Sequence, residues 1–117
     1  MRNSLVIAAG MLLSVASLAS EYTSAKPLLL QAIDAPDGRS KGILVGTVAE
    51  KFVSTTGSSA PVRVEVTTVK RFKQEGCRRL NLRMSQADVP TKDGRKVVFA
   101  MDYGINLCRD GSPAGEE

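Results

Sequence analysis

Residues 77–108, CRRLNLRMSQADVPTKDGRKVVFAMDYGINLC, decide the fold of this chain. Apolar residues occupy every second position near both ends of the stretch, a period typical of strands with one buried face. They are Leu80, Leu82 and Met84 in the first run, and Val97, Phe99, Met101, Tyr103, Ile105 and Leu107 in the second. Pro90 and the pair Asp93-Gly94 are typical of a turn. The stretch therefore predicts two antiparallel strands joined by a turn at 88–95.

Three features agree on one register for this hairpin. Paired residues in a hairpin have numbers with a constant sum, and matching the apolar faces gives a sum of about 185. The apolar pairs are then Leu80 with Ile105, Leu82 with Tyr103, and Met84 with Met101. On the other face Arg83 lies opposite Asp102, an ion pair worth roughly 0.2–1 kcal/mol. The same register sets Cys77 opposite Cys108.

The first 19 residues are typical of a secretory signal peptide. Arg2 precedes an apolar run from Leu5 to Leu13, and Ser17 and Ala19 form the small-residue pattern that a signal peptidase accepts. The apolar run is shorter than a membrane-spanning helix needs. We predict cleavage after Ala19 and a mature chain that is periplasmic or secreted. An N-terminal anchor that is retained is the alternative.

The mature chain, residues 20–117, has 98 residues (117 minus 19), which predicts one small domain with a marginal hydrophobic core. Its two cysteines are Cys77 and Cys108. An oxidising compartment permits a disulfide between them, and closing this loop is worth about 3 kcal/mol in a chain-entropy treatment. Two free thiols or a redox pair are the alternatives, but the spacing is not that of a C-x-x-C motif.

A helix is predicted at about 43–55, upstream of the hairpin. Its apolar residues at helical spacing are Leu44, Val45, Val48, Ala49, Phe52 and Val53, and this face is expected to belong to the core. Ser40 is a candidate N-cap and Gly57 a candidate stop. Gly46 argues against the helix, because glycine costs about 1 kcal/mol relative to alanine in a helix interior.

Other segments complete the expected organisation. The apolar run at 28–33 is too short for periodicity to distinguish a strand from a helix, and 34–42 is interpreted as a solvated, turn-rich connection. A third strand begins at Val62, with a bulge expected at 67–69. The tail at 109–117 is rich in glycine, proline and acidic residues and is expected to be mobile.

The predicted fold is α+β, with the helix at 43–55 laid across one face of a three-stranded antiparallel meander. The segment at 28–33 is a candidate fourth strand, and one disulfide is expected. The opposite face of the sheet is expected to be exposed to water. It carries Arg79, Asn81, Arg83, Asp102, Asn106 and the disulfide.

Charge restricts the class of partner. The formal net charge is +4, or +3 without Arg2, which is too weakly basic to indicate a nucleic-acid partner. Five basic residues lie where the third strand turns into the hairpin: Lys70, Arg71, Lys73, Arg78 and Arg79. They are candidate partner-binding residues for an acidic surface. The alternative is that these charges keep the tip of a hairpin soluble.

The chain lacks the groups that catalysis commonly uses. It has no histidine to act as a general base. Its carboxylates lie in turns or beside basic residues, so no acid with a raised pKa is indicated. Ser40 and Lys41 are adjacent in a loop, which seldom makes a nucleophile and its base, and phosphate-binding and calcium-binding loops are missing. We predict a protein that is not an enzyme, with no cofactor and no metal.

Several segments are similar to small exported proteins encoded in integrative and conjugative elements, which accompany type IV secretion genes. The segments are GCRRLNLRMSQ at 76–86, FAMDYGINLC at 99–108, DGSP at 110–113, KPLLL at 26–30, and residues 35–46. The resemblance covers most of the mature chain and contains no catalytic motif. It implies an accessory role at the envelope in conjugative DNA transfer.

The expected function is that of an exported, non-catalytic binding or assembly module whose partner is another envelope protein. The oligomeric state is left open. A small secreted inhibitor of a protease or of lysozyme is the alternative, because a helix on an antiparallel sheet with one disulfide resembles the cystatin architecture. An inhibitor of this kind would need an exposed apolar wedge, and none is evident in the sequence.

Overall fold

The computed structural model describes residues 20–114, so the predicted signal peptide at 1–19 lies outside the described residues. The elements are β1 Glu21–Tyr22, α1 Lys26–Asp34, β2 Arg39–Leu44, α2 Thr47–Thr56, β3 Val62–Arg71, β4 Cys77–Pro90 and β5 Lys96–Cys108. The strands form one sheet in the order β1-β2-β3-β4-β5, with β1 parallel to β2 and the other pairs antiparallel. The α+β class is confirmed. The sheet is mixed and has five strands, where three or four antiparallel strands were predicted.

The β4–β5 hairpin has the predicted register. The constant sum holds from Cys77 to Gln86 on β4, and the register shifts by one residue before Val89. Nη1 of Arg83 lies 2.8 Å from Oδ2 of Asp102, which confirms the predicted ion pair. The polar side chains predicted for the face that carries this pair are all exposed or half-buried.

The β3–β4 pair shows the predicted bulge. The register of the pair shifts between Thr68 and Lys70. This position overlaps residues 67–69, where the bulge is predicted. Val62, Val64 and Val66 of β3 are buried, as the period of two requires. The apolar period of two in β3, like that in β4, therefore predicts which residues face the core.

The helix that covers the sheet is α1, and the interpretation of 28–33 as a candidate fourth strand is wrong. Pro27 lies in the first turn of α1, where its missing N–H removes no helical hydrogen bond. Ala35 precedes Pro36, is extended, and ends the helix. The core between α1 and the sheet contains Leu28, Leu29, Ala32, Ile33, Leu44, Val62, Val64, Val66, Leu80 and Leu82.

The predicted helix at 43–55 is wrong in its first part. Leu44 belongs to β2, pairs with Val62 and is buried as a strand residue. Gly46 has a φ of +86°, which glycine alone adopts readily, so the helix α2 begins only at Thr47. Gly57 ends α2 in the left-handed conformation, as predicted.

The segment 34–42 is not one solvated connection. Residues 35–38 turn the chain, and β2 begins at Arg39. Ser40 is therefore inside a strand and is not the N-cap of a helix. Its hydroxyl donates to the carbonyl oxygen of Leu28 at 2.5 Å, which ties β2 to α1.

The disulfide and the tail differ from expectation in their surroundings. Cys77 and Cys108 are bonded as predicted, but both are buried, because the β3–β4 link and the turn after β5 flank the sulfurs. The N–H of Cys108 donates to the carbonyl of Ser112 at 2.9 Å, and the N–H of Ala114 donates to that of Asn106 at 3.2 Å. Residues 109–114 of the predicted mobile tail thus form a turn held against β5. Residues 115–117 lie outside the described residues.

Candidate functional site

The β4–β5 hairpin extends beyond the rest of the sheet. β3 begins at Val62, which pairs with Gln86, whereas β4 and β5 continue to the pair of Pro90 and Lys96. We call residues 87–99 the distal arm. Its apolar side chains have no β3 neighbour and stay exposed: Val97 by 39%, Val98 by 68% and Phe99 by 37%.

Polar residues close the tip of the distal arm. The N–H of Thr91 donates to the carbonyl of Arg95 at 2.8 Å, and the N–H of Gly94 donates to that of Thr91 at 3.1 Å. Asp93 accepts a hydrogen bond from the Thr91 hydroxyl and pairs with Nε of Arg95 at 3.0 Å. The Thr91 hydroxyl and then the Arg95 N–H lower the pKa of Asp93. The tip is therefore an exposed turn in which the carboxyl group of Asp93 is ionised.

The helix α2 packs against the molecule less tightly than α1. None of its residues is buried, and Ala49 and Phe52 only partly contact the core. Val48 and Val53 are each 40% exposed. The prediction that the apolar face of this helix is core holds only for Ala49 and Phe52, which are partly buried and pack against the core. Val48 and Val53 are exposed because α1 covers most of the core.

Hydrogen bonds hold the C-terminal end of α2 beside the distal arm. Gln86 is only 1% exposed, and its amide nitrogen donates to the carbonyls of Ser58 and Ala60, both at 3.0 Å. Its amide oxygen accepts from the Thr56 hydroxyl at 2.7 Å. The Ser58 hydroxyl donates to the carbonyl of Ala87 at 2.6 Å. These bonds fix the spacing between α2 and the arm.

A cleft of about 480 Å³ opens between α2 and the distal arm. It is lined by Lys51, Phe52, Thr55, Thr56, Val89, Pro90, Phe99 and Met101. Lys51 is the one charged side chain in this lining. The volume is in the range of sites that bind small molecules or side chains. The apolar side chains of the lining suit an apolar group, and Lys51 suits a negative charge beside that group.

Arg78, one of the five candidate partner-binding residues, lies on the face of the sheet that carries α1. Its Nη1 donates to the carbonyl of Ala32 at 3.1 Å and lies 3.2 Å from the Thr68 hydroxyl oxygen. Burial, followed by the nearby charges of Arg71 and Arg109, lowers the pKa of Arg78. Arg78 therefore binds the carboxyl end of α1, a place where cations are favourable.

Arg79 lies on the opposite face of the sheet. Its Nη1 donates to Oδ1 of Asn106 at 2.8 Å. Its guanidinium crosses Gly104, where an added Cβ would come within 2.6 Å of Nη2. The remaining candidates, Lys70, Arg71 and Lys73, are exposed at the β3–β4 end. The structure thus places Arg78 and Arg79 on opposite faces of the sheet and the other three residues at the end of β3 and in the link that follows it. Their role in binding stays a prediction.

Residues 20–114 contain no group of three or more side chains of the metal-binding types that could hold an ion together. The hydroxyl of Ser40 donates to the main chain of α1. No helix within residues 20–114 is long and apolar enough to cross a membrane.

Sequence reasoning missed the cleft, although two signals for it were present. The predicted third strand begins after Pro61, so the register of the hairpin leaves Val89 and Val97 without a β3 neighbour. Gln86 continues the row of Leu80, Leu82 and Met84 on the face towards α1, and a polar residue in such a row indicates a buried hydrogen-bonding site.

Comparison of the chain with protein-family models, with curated proteins and with solved structures finds no match. The resemblance to exported proteins of conjugative elements therefore remains a hypothesis.

Proposed function

We propose that the protein is an exported, non-catalytic binding module of the bacterial envelope, which holds an apolar segment of another envelope protein in the cleft between α2 and the distal arm. The observation that carries this proposal is the exposed apolar surface on both sides of the cleft. It comprises Val48 and Val53 of α2 and, on the face of the arm that lines the cleft, Val97 and Phe99. Apolar side chains left exposed beside a cleft are typical of an interaction site.

The cleft also indicates the chemistry of the partner. Phe52, Pro90 and Phe99 offer flat apolar walls, which favour an aromatic or branched aliphatic side chain. Lys51 stands in the lining, and the net charge of the whole chain is +4. An acidic residue beside the apolar anchor would therefore strengthen binding and accelerate association.

Two observations support an envelope location. Residues 1–19 have the pattern of a signal peptide, and Cys77 is bonded to Cys108. Disulfides form and persist mainly in oxidising compartments. An accessory role in conjugative DNA transfer is the more specific form of the proposal, and it is supported by the sequence resemblance alone. The basic residues at 70–73 are a second candidate contact for the same partner.

The inhibitor alternative has no specific support. An inhibitor that enters an enzyme cleft needs an apolar projection, whereas the tip of the distal arm carries the ion pair of Asp93 and Arg95. The apolar side chains lie on the sides of the arm, where they suit a partner that lies along it.

A photo-crosslinking amino acid at position 55 tests the proposal in cells that produce the full chain. Thr55 and Ser54 are neighbouring, exposed hydroxyl residues of α2, but only Thr55 lines the cleft. We expect crosslinks from position 55, and few from position 54, to one apolar segment of an envelope protein identified by mass spectrometry. A crosslinker at position 89, in the same cleft, should capture the same segment, and adding Thr55→Arg to that variant should abolish its crosslinks. Equal crosslinking from positions 54 and 55, or crosslinks to polar segments of many proteins, would refute the proposal.

A further inference from the structure

β5 forms one edge of the sheet, and the chain covers part of this edge itself. The bonds from the N–H of Cys108 to Ser112 and from the N–H of Ala114 to Asn106 show that even-numbered residues direct their main-chain groups away from β4. Because this direction alternates along a strand, Lys96 at the start of β5 shares it. So do the next four even-numbered residues, Val98, Ala100, Asp102 and Gly104. No strand of the described chain pairs with β5 at these four residues.

The exposed part of the edge, residues 98–104, lacks the features that normally prevent strands from pairing. Soluble proteins protect an edge strand with lysine, proline or a bulge. The only charged residue at 98–104 is Asp102, and its carboxylate is already bound by Arg83 at 2.8 Å and by Asn81 at 2.9 Å. Val98 and Tyr103 are 68% and 46% exposed. An edge of this kind is a template for another strand.

We infer that the strand which covers this edge is β5 of a second copy of the chain, antiparallel about a two-fold axis at Met101. The pairing segment ends at Gly104 on one side, because Ala114 occupies the next outward position at Asn106. We end it at Val98 on the other side, because the register of β4 and β5 shifts between Val97 and Phe99 and the next outward residue, Lys96, carries a charge that protects an edge. Met101 is the centre of this segment.

The two-fold register at Met101 satisfies the main chain of the whole segment. It sets Val98 opposite Gly104 of the second copy and Ala100 opposite Asp102 of the second copy, and the reverse pairs follow by symmetry. Every outward N–H and C=O at 98–104 then has a partner. A register shifted by two residues towards Asn106 would leave Val98 unpaired, because Ala114 occupies Asn106. A shift in the other direction would bring Lys96 of each chain into the ladder.

The same register also matches the side chains. On the face that carries α1, Phe99 lies opposite Tyr103 of the second copy, and Met101 lies opposite its own equivalent. Aromatic cross-strand pairs of this kind add stability. On the other face Asp102 lies opposite Ala100, so no charged residue directly faces a like charge. This self-complementarity of the apolar side chains favours a second copy over an unrelated strand.

Sedimentation velocity of the purified mature protein, at concentrations from about 1 to 200 μM, tests this inference, which does not depend on the proposed function. We expect the mass of a dimer. Ala100→Pro removes an outward N–H and no bond to β4, so we expect a folded monomer. Ala100→Ser is the matched control and should remain dimeric. Thr55→Arg, which fills the cleft, should not change the mass, so failure of the two proposals can be told apart.

A charge exchange tests the register itself. Residues 99 and 103 of one chain are about 13 Å apart along a strand and cannot pair with each other, but they are opposite across the two-fold axis. We expect Phe99→Glu and Tyr103→Lys each to weaken the dimer at least tenfold, and the double variant to dimerise more tightly than either single variant. A wild-type monomer at every concentration would overturn the inference. So would a dimer that Ala100→Pro leaves intact, or a double variant weaker than both single ones.

Discussion

Gln86 shows how a single polar side chain positions a helix. It lies on the face of β4 that contacts the core, and each polar atom of its side chain has a partner near the end of α2. A buried carbonyl without a donor costs about 1–3 kcal/mol, so these bonds favour one position of α2 over others. Since α2 has no buried apolar residue, the cleft depends on this amide.

Gln86→Leu is expected to lower the free energy of unfolding by about 1–3 kcal/mol, because the carbonyls of Ser58 and Ala60 lose their donor. Urea denaturation followed by circular dichroism measures the change. Gln31→Leu is the matched control, since it removes an exposed glutamine amide that donates to the Tyr22 hydroxyl at the surface. The control is expected to change stability by about 0.5 kcal/mol or less. Equal losses in the two variants would mean that the Gln86 bonds do not hold α2.

Asp102, on the opposite face of the sheet, makes a contribution to the stability of the fold that depends on pH. The hydrogen bond from Asn81, and then the charge of Arg83, lower the pKa of Asp102 below its ordinary value. Its folded pKa is therefore lower than its unfolded pKa, so the carboxylate stabilises the fold above the unfolded pKa and loses this effect as pH falls through the folded pKa. We expect the melting temperature of wild type to exceed that of Asp102→Asn at pH 7.

The difference between wild type and Asp102→Asn should close in acid, below the folded pKa of Asp102. Carboxyl NMR titration supplies an independent check, because Asn81→Ala removes the largest cause of the shift and should raise the pKa of Asp102. A difference in melting temperature that persists unchanged in strong acid would show that the carboxylate charge is not responsible.

Among the elements, the hairpin could be predicted, whereas α2 could be predicted only in part and α1 could not be told from a strand. One register of β4 and β5 satisfies three separate features. They are the apolar period, the pair of Arg83 and Asp102, and the two cysteines. The run at 28–33 is only six residues long and fits a strand or a helix equally well. At 43–55 the apolar spacing fits a helix, although Gly46 separates a strand from a shorter helix. Which helix covers the core is decided by packing between distant segments, which a local pattern does not contain.

The candidate site was less predictable than the fold. The disulfide follows from the register of the hairpin, and so does the excess length of β4 and β5 over β3. The cleft also needs the position of α2, which hydrogen bonds from Gln86 set across 28 residues of sequence. Arg78 was grouped with its basic neighbours because charge is visible in a sequence, whereas its bond to Ala32 depends on where α1 lies.

The disulfide joins the ends of β4 and β5 that lie far from the distal arm. Replacing both cysteines with alanine should leave the strands paired, because the apolar register and the ion pair of Arg83 and Asp102 remain. We expect the free energy of unfolding to fall by about 3 kcal/mol at most. The loss is expected to be smaller if strand pairing already restricts the loop that the disulfide closes. Thermal melts under oxidising conditions measure it. Reductant should destabilise the wild type and leave the double alanine variant unchanged, and a wild type that is insensitive to reductant would contradict the prediction.

The whole molecule is stabilised unevenly from end to end. The end with the disulfide is closed by the turn at 109–114 and by the pair of Arg109 and Asp34 at 2.6 Å. The hydrogen bond that Nε of Arg109 donates to Asp34 raises the pKa of Arg109, so this guanidinium stays charged at any physiological pH. At the other end the distal arm leaves apolar side chains in solvent. Its surface is thus the part that association would stabilise.

Association through β5 makes the stability of the molecule depend on its concentration. Only folded chains can form the dimer. The melting temperature of the wild type should therefore rise by several degrees over a hundredfold increase in protein concentration. Ala100→Pro should melt at the same temperature throughout that range. Calorimetry at two concentrations measures the effect. A wild type with a constant melting temperature would argue against a folded dimer.

The chain enters the sheet at one margin, through β1, and leaves it at the other, where Ala114 lies against Asn106. A fluorescent protein or an affinity tag joined beyond Ala114 would therefore start alongside the part of β5 that is open to other strands and would obstruct it. A reporter placed just before Ser20 would start from the far margin. Labelling at that margin keeps the exposed ribbon accessible in imaging and pull-down work.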